Sequence, residues 1–398
     1  MTLPLAGFRI IEASTVLAAP LSASLLAELG AEVIKVEEPN RGDPTRSFPP
    51  MVAGEAASFH ITNRNKKSVE LDLRTARGVD LLLALCRDAD ALVLNYRQSA
   101  LDRWGLTAER LRSTNESLIV LHLTAFGRTG PYSDQPGFGR IAEAFAGLTY
   151  ITGEADEPPY FPGYPIADGI GGIYGAFLLT VGLLHRARTG EGQLIDLALY
   201  EPLLRMMEDF VVRYDVAGEV KTRMGNDQEH SCPNGLFPTA DGDVIVLPAS
   251  TPSMWQRLLP FLDDDDGLLA QLDTPAKRAQ LRSTVDGAVA AFTAVHGRDD
   301  LIDLLRAAGV ACGVVNSVAD ICADPQVHAR GNLVKVYDER LDRELLVQAP
   351  VGSFSSFETT VKTGPRLGEH TDRVLRELLG LDPDEIRDLR DQGVIGMG

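Results

Sequence analysis

The sequence predicts an α/β protein in which a Rossmann-like large domain, built on a parallel sheet, is joined to a smaller α+β domain. Three observations predict it. Short β-rich apolar runs alternate with helical stretches through the first third of the chain, the pattern of repeated βαβ units. After Gly218 the texture changes to a polar stretch and then a hairpin. At 398 residues the chain is also longer than one core usually serves. The expected division is 1–221 for the first part of the large domain, 222–331 for the small domain, and 332–398 for a return to the large one.

The elements follow in order. Phe8 to Ala13 reads as a strand, Pro20 to Leu29 as a helix stopped by Gly30, and Ala31 to Glu37 as the next strand. Ser68 to Leu73 is a strand, Thr75 to Asp88 a helix, and Ala91 to Tyr96 and Ser117 to Phe126 are further strands. Asp168 to Arg186 turns helical, with glycines at 169, 171, 172 and 175 leaving one face of its first turns almost bare. Gln193 to Leu197 is a last buried strand. Leu199 to Val216 is read as one long amphipathic helix whose Leu203, Met206, Met207 and Phe210 belong to a core. Leu236 to Thr239 and Val244 to Leu247 pair as a hairpin around Asp241-Gly242. Helical segments follow near Ser253 to Leu262 and Leu301 to Ala308, and a helix from Thr371 to Leu379 precedes a short tail.

Composition excludes several function classes. Hydrophobic residues at 44% and charged residues at 24% describe an ordinary globular chain. A formal net charge of −18 argues against nucleic acid or an anionic membrane as partner, since both attract a basic field. The four cysteines (Cys86, Cys232, Cys312, Cys322) match neither a zinc ribbon nor a redox pair and read as reduced thiols. Met1 to Gly7 lacks the basic-then-apolar pattern of a leader, and no apolar run of the ~18 residues a membrane span needs is recognised. A cytoplasmic location is therefore expected.

The chemistry has to come from carboxylates. No nucleophile elbow, phosphate loop or dinucleotide fingerprint is found, and the seven histidines form no i, i+4 ligand pair, so no metal is expected. Asp168 stands out because it opens a helix and is followed by glycines. An aspartate at a helix start is ordinarily a cap. A cap does not need a bare helical face beside it, whereas a reacting carboxylate approached by a large ligand does.

An ordered series of motifs then carries a resemblance. Ala31-Glu32-Val33-Ile34-Lys35-Val36-Glu37, Gly42-Asp43-Pro44-Thr45-Arg46, Asn65-Lys66-Lys67-Ser68 and Leu71-Asp72-Leu73 are followed by Gly127-Arg128-Thr129-Gly130-Pro131-Tyr132, Ala167-Asp168-Gly169 and Gly190-Glu191-Gly192-Gln193. The match resumes at Gly309 to Asn316 and at Leu367-Gly368-Glu369-His370-Thr371. The series resembles the family III CoA-transferases, the group of formyl-CoA and carnitine CoA-transferases, with the α-methylacyl-CoA racemases as relatives.

The resemblance implies that Asp168 is a nucleophile that carries first an acyl group and then CoA. It implies CoA contacts at Val16, Leu17, Leu71, Arg74, Asn95, Tyr96 and Arg103, and an acyl pocket touched by Glu143 and Gly169. Arg74 and Arg103 are candidates for CoA phosphates, or else solvated surface arginines. The Phe161 to Pro165 segment either shapes the acyl pocket or is a proline-stiffened turn. CoA and acyl-CoA are implied as substrates, with a carboxylic acid as acceptor and no permanently bound cofactor; the assembly implied is an interlocked homodimer. Two departures narrow the activity. Leu17 stands where relatives acting on formyl and oxalyl groups have glutamine, and no glycine-rich loop is evident in the small domain. Gly137-Phe138-Gly139 stands where the racemases carry a Gly-His-Asp triplet, which makes a racemase or epimerase the second reading.

Overall fold

The computed structural model describes residues 2–52 and 54–397, which fold as two compact units. The larger draws on Met1–Leu148, Pro162–Gly218 and His328–Gly398, the smaller on Thr149–Phe161 and Glu219–Val327. Residues 149–161, which sequence analysis left in the first domain, join the smaller unit because Arg223 donates to the carbonyls of Tyr150 (2.9 Å) and Glu157 (3.1 Å), and the Gly225 amide to Gly153 (2.8 Å).

The larger unit is built on six parallel strands: β1 (Arg9–Ala13), β2 (Glu32–Glu37), β3 (Lys67–Glu70), β4 (Ala91–Leu94), β5 (Ile119–Thr124) and β6 (Gln193–Ala198). Their order across the sheet is β3-β2-β1-β4-β5-β6, the Rossmann order. Ile10 sits opposite Val33 on one side and Ala91 on the other, so strand order reverses at β1. Helices α1 (Ala18–Glu28) and α4 (Ile166–Thr189) cover one face, packing Ala23, Leu26, Leu179 and Leu183 against Val33, Val93 and Leu121. Helix α2 (Ala76–Arg87) covers the other together with two C-terminal helices, Thr371–Leu379 and Pro383–Asp391. Between α2 and α4 lies the short α3 (Gly139–Phe145).

Three expectations need correcting. The stretch from 199 to 216 is two helices, Tyr200–Arg205 and Phe210–Ala217, because Glu208 between them takes a left-handed φ of +48°. Leu203 is buried and Met207 half-buried, but Met206 is 52% exposed and so does not belong to the core. The tail after Leu379 holds a further helix, entered through Asp382 and Glu385 in a reciprocal cap with Pro383 at its first position. Finally, α4, at 24 residues and a mean hydropathy of 1.6 in its most apolar window, is long and apolar enough to cross a membrane by those two measures. Here it is laid along the sheet.

In the smaller unit, strands Gly235–Pro238 and Val244–Leu247 pair antiparallel, and the turn passes through Gly242 at φ +85°. Gly313–Val314 adds a third strand. Helices Pro252–Leu258, Arg282–Thr293 and Arg298–Ala307 close a core around Trp255, Leu258, Leu301 and Leu305.

Candidate active site

Because α4 immediately precedes β6, it runs against the strands, and its first turn stands at their carboxyl ends. Asp168 lies in that turn, two residues inside the helix rather than at its cap; the capping position is Pro165, which supplies no side-chain bond. The carboxyl is half-buried between two neighbours. Gly139, at the start of α3, has no room for a side chain, since a Cβ there would collide with Asp168 Oδ2. One turn further along α3, Glu143 is wholly buried. Its Oε1 accepts from the Ala167 amide at 3.3 Å, and its Oε2 has no hydrogen-bond partner among the described residues. Burial, and then the Glu143 carboxyl, push the Asp168 pKa up to about 6. On the other side the Tyr164 ring lies within 3.0 Å of where a Cβ on Gly169 would be; burial and the Asp168 charge raise its phenol above the usual range. Asp168 is therefore ionised at neutral pH yet more basic than a solvated carboxylate, which suits a nucleophile.

The glycines after Asp168 have a different use from the one expected of them. A Cβ on Gly171 would come within 2.8 Å of Leu199 Cδ2, one on Gly172 within 2.7 Å of Leu21 Cδ2, and one on Gly175 would overlap Ser22 Oγ. The bare face of α4 is filled by α1 and by the residue following β6, not by a ligand. Only Gly169 remains on the reactive side.

The positions implied for CoA divide into two groups. Val16, Leu17, Asn95 and Tyr96 lie at the carboxyl ends of β1 and β4, at the reversal of strand order where α/β sheets open a crevice. The Asn95 side chain ties the ends of β1 and β4 together by accepting from the Thr15 amide (3.0 Å) and donating to the Thr15 carbonyl (2.7 Å). Tyr96 packs edge-on against Trp104 at 4.9 Å, and burial pushes its phenol up to about 12. Leu71, in contrast, is a core residue at 1% exposure, backbone included, and offers almost no surface to a ligand. Arg74 is exposed but paired with Asp72 (2.8 Å) and Glu38 (3.0 Å), and Arg103 is exposed on the helix after β4.

Sequence reasoning missed the cluster beneath the β1 loop. Lys35 is fully buried between Glu12 (2.7 Å) and Asp43 (2.9 Å) and donates to the Ser14 carbonyl. Lys66, also fully buried, meets Glu12 (2.6 Å), the Pro20 carbonyl and Asn63. Glu37 takes two bonds from Arg46 (2.8 and 2.7 Å) and one from Ser68 (2.6 Å). Burial opposes the Lys35 charge, but Asp43 and Glu12 outweigh it and hold the ammonium well above its ordinary value. For Lys66 burial wins, and its pKa falls to about 8. The signal was available: Glu12, Lys35 and Glu37 interrupt apolar strands, and buried Lys and Glu are rarely found without partners. Among the described residues, no group of three or more His, Cys, Asp or Glu side chains is placed to hold a metal ion.

Comparison with known proteins agrees in one direction. The family model described as CoA-transferase family III matches residues 5–371. The β subunit of a succinyl-CoA–L-malate CoA-transferase from Chloroflexus aurantiacus is 37% identical, with 99% of this chain and 98% of the relative covered. A succinate–glutarate CoA-transferase from Agrobacterium fabrum is 36% identical, with 94% and 96% covered. Among solved structures, a CAIB/BAIF family protein from Brucella suis superimposes with a TM-score of 0.84 at 32% identity, covering 95% of this chain and all of that one.

Proposed function

The chain belongs to CoA-transferase family III, and on that premise we propose that it moves CoA from an acyl-CoA donor to a free carboxylic acid through covalent intermediates on Asp168. The observation that carries this reading is the position and basicity of Asp168, held against side-chain-free Gly139 with its pKa near 6.

An oxygen of the Asp168 carboxylate attacks the donor's thioester carbonyl. The C–S bond breaks, CoA leaves as thiolate, and an acyl-aspartyl anhydride remains. The retained thiolate attacks the aspartyl carbonyl, releasing the donor acid as a carboxylate and leaving an aspartyl-CoA thioester. The acceptor carboxylate attacks that thioester and expels CoA thiolate, forming a second anhydride. The thiolate then attacks the acceptor's carbonyl, which frees the new acyl-CoA and restores Asp168. No proton has to be supplied in any step. Holding the thiolate in place makes each return attack effectively intramolecular.

The crevice between β1 and β4, with Val16, Leu17, Asn95 and Tyr96, is the proposed seat of CoA. Glu143 and Gly169 border the acyl group. Relatives named for succinyl-CoA with malate or mesaconate, and for succinate with glutarate, support a short dicarboxylic pair of substrates. The racemase reading is not favoured: a side chain at 139 would strike Asp168, and Phe138 supplies no base.

The proposed assembly is a homodimer. It is supported by the outward face of α4, where Ile173, Phe177, Val181 and Leu184 repeat at helical spacing and are each 45–59% exposed. Light scattering should give twice 43.0 kDa. A cytoplasmic location is also part of this reading, supported by four cysteines of which none is in a disulfide. The chemical test is direct: incubation with succinyl-CoA and a panel of dicarboxylates, then mass spectrometry of the peptide carrying Asp168. A CoA thioester or, after hydroxylamine, a hydroxamate on Asp168 is expected. New thioesters formed while Asp168 stays unmodified in every trapping experiment would sink the mechanism.

A further inference from the structure

We infer that Asp43 is a positioning residue for CoA, acting through the left-handed backbone of Val16. The inference rests on the reading that the crevice beyond β1 receives CoA. Val16 has φ +71°, a conformation that a β-branched residue adopts only when its surroundings impose it. The imposing group is Asp43. The Val16 amide donates to both of its carboxylate oxygens at 3.2 Å. Asp43 is fixed in turn by the Thr45 amide (2.9 Å), the Thr45 hydroxyl (2.7 Å) and the Lys35 ammonium (2.9 Å).

The same buried cluster grips the rest of the loop. Ser14 gives its carbonyl to Lys35 and its hydroxyl to Glu12, and Lys66 takes the Pro20 carbonyl within the first turn of α1. Six charges, Glu12, Lys35, Glu37, Asp43, Arg46 and Lys66, balance three against three, with every one paired. A charge-balanced network in low dielectric is rigid, because any single departure leaves a charge short of its counter-charge. Such rigidity is more than the fold needs for a turn between β1 and α1, where a glycine would take φ +71° without help. Its product is a Val16 side chain and a Leu17 backbone held in one geometry at the mouth of the crevice.

The experiment measures CoA dissociation constants by calorimetry and, in parallel, the KM values for donor thioester and acceptor acid. Asp43→Asn is expected to weaken CoA binding and raise the donor KM by roughly tenfold, the scale of one strained residue losing its holder, with the acceptor KM little changed. Thr45→Val, which removes one of the bonds fixing Asp43 and keeps every charge, should move the same constants in the same direction by roughly two- to threefold, and serves if Asp43→Asn does not fold. Val16→Gly should weaken binding in the native background yet strengthen it in the Asp43→Asn background, because glycine no longer needs the holder. Equal shifts in both KM values, or Val16→Gly effects that simply add, would overturn the positioning role. Asp168→Ala keeps the two ideas apart: if it abolishes transfer while Asp43→Asn binds CoA normally, positioning fails alone, and if Asp168→Ala still transfers CoA, the covalent mechanism fails alone.

Discussion

Two charged clusters in the larger unit are built on opposite principles. Beneath the β1 loop, three cations and three anions lie buried and answer one another. At the start of α4, Asp168 and Glu143 are two acids side by side, and one oxygen of Glu143 has no partner among the described residues. The first arrangement resists change because every charge has a counter-charge beside it. The second stores unfavourable electrostatics that the covalent bond proposed at Asp168 would relieve. Stability and reactivity have been given to different carboxylates.

Substitutions that cross this divide test it. The largest effect expected is on turnover: Asp168→Ala should lower CoA exchange by roughly 10⁴-fold, as loss of a covalent nucleophile does, while leaving the unfolding temperature no lower. Lys35→Met should do the reverse in kind, lowering stability by roughly 3–5 kcal/mol because it strands Asp43 and leaves Glu12 with Lys66 alone, measurable by urea denaturation.

A smaller effect comes from the Asp168 carboxyl itself. Its pKa is about 6 in the folded chain against 3.8 when unperturbed, so the native state binds its proton more tightly. That preference adds stability at pH values below 3.8 and is lost as pH rises through 6. Asp168→Asn should therefore be more stable than the native enzyme at pH 7, by about 1–2 kcal/mol once solvent at the carboxyl is allowed for, and the advantage should vanish near pH 4. The same titration sets the acid limb of the rate profile, with activity falling below a midpoint near pH 6. Glu143→Gln removes the second acid and should move that midpoint down by about half a unit to one unit. An unmoved midpoint would show that burial alone sets the basicity of Asp168.

The parallel sheet was legible because its strands are apolar, β-branched and punctuated by glycine and polar turns; each of the six was located to within a few residues. Asp168 was legible for a partly mistaken reason. Gly171, Gly172 and Gly175 signalled close approach, but linear sequence cannot say that the approaching object is α1. The break at Glu208 escaped because nothing in helical spacing announces one left-handed residue, whereas the cap at Asp382 and Glu385 was readable and was passed over. Lys35, Asp43 and Lys66 were visible as motifs without a role. Their meaning depends on which strands become neighbours, and that is a property of topology rather than of spacing.

The glycine seam between α1 and α4 carries a consequence for anyone seeking to redirect this enzyme. Helix α1 follows β1 and α4 carries Asp168, and they mesh where Leu21 and Ser22 of α1 occupy the space that Gly172 and Gly175 of α4 leave open. Randomising that seam should yield mostly misfolded clones and few new specificities. Libraries aimed instead at the loop ahead of α3 and the residues just before α4 would vary the walls of the reaction chamber while leaving its frame untouched.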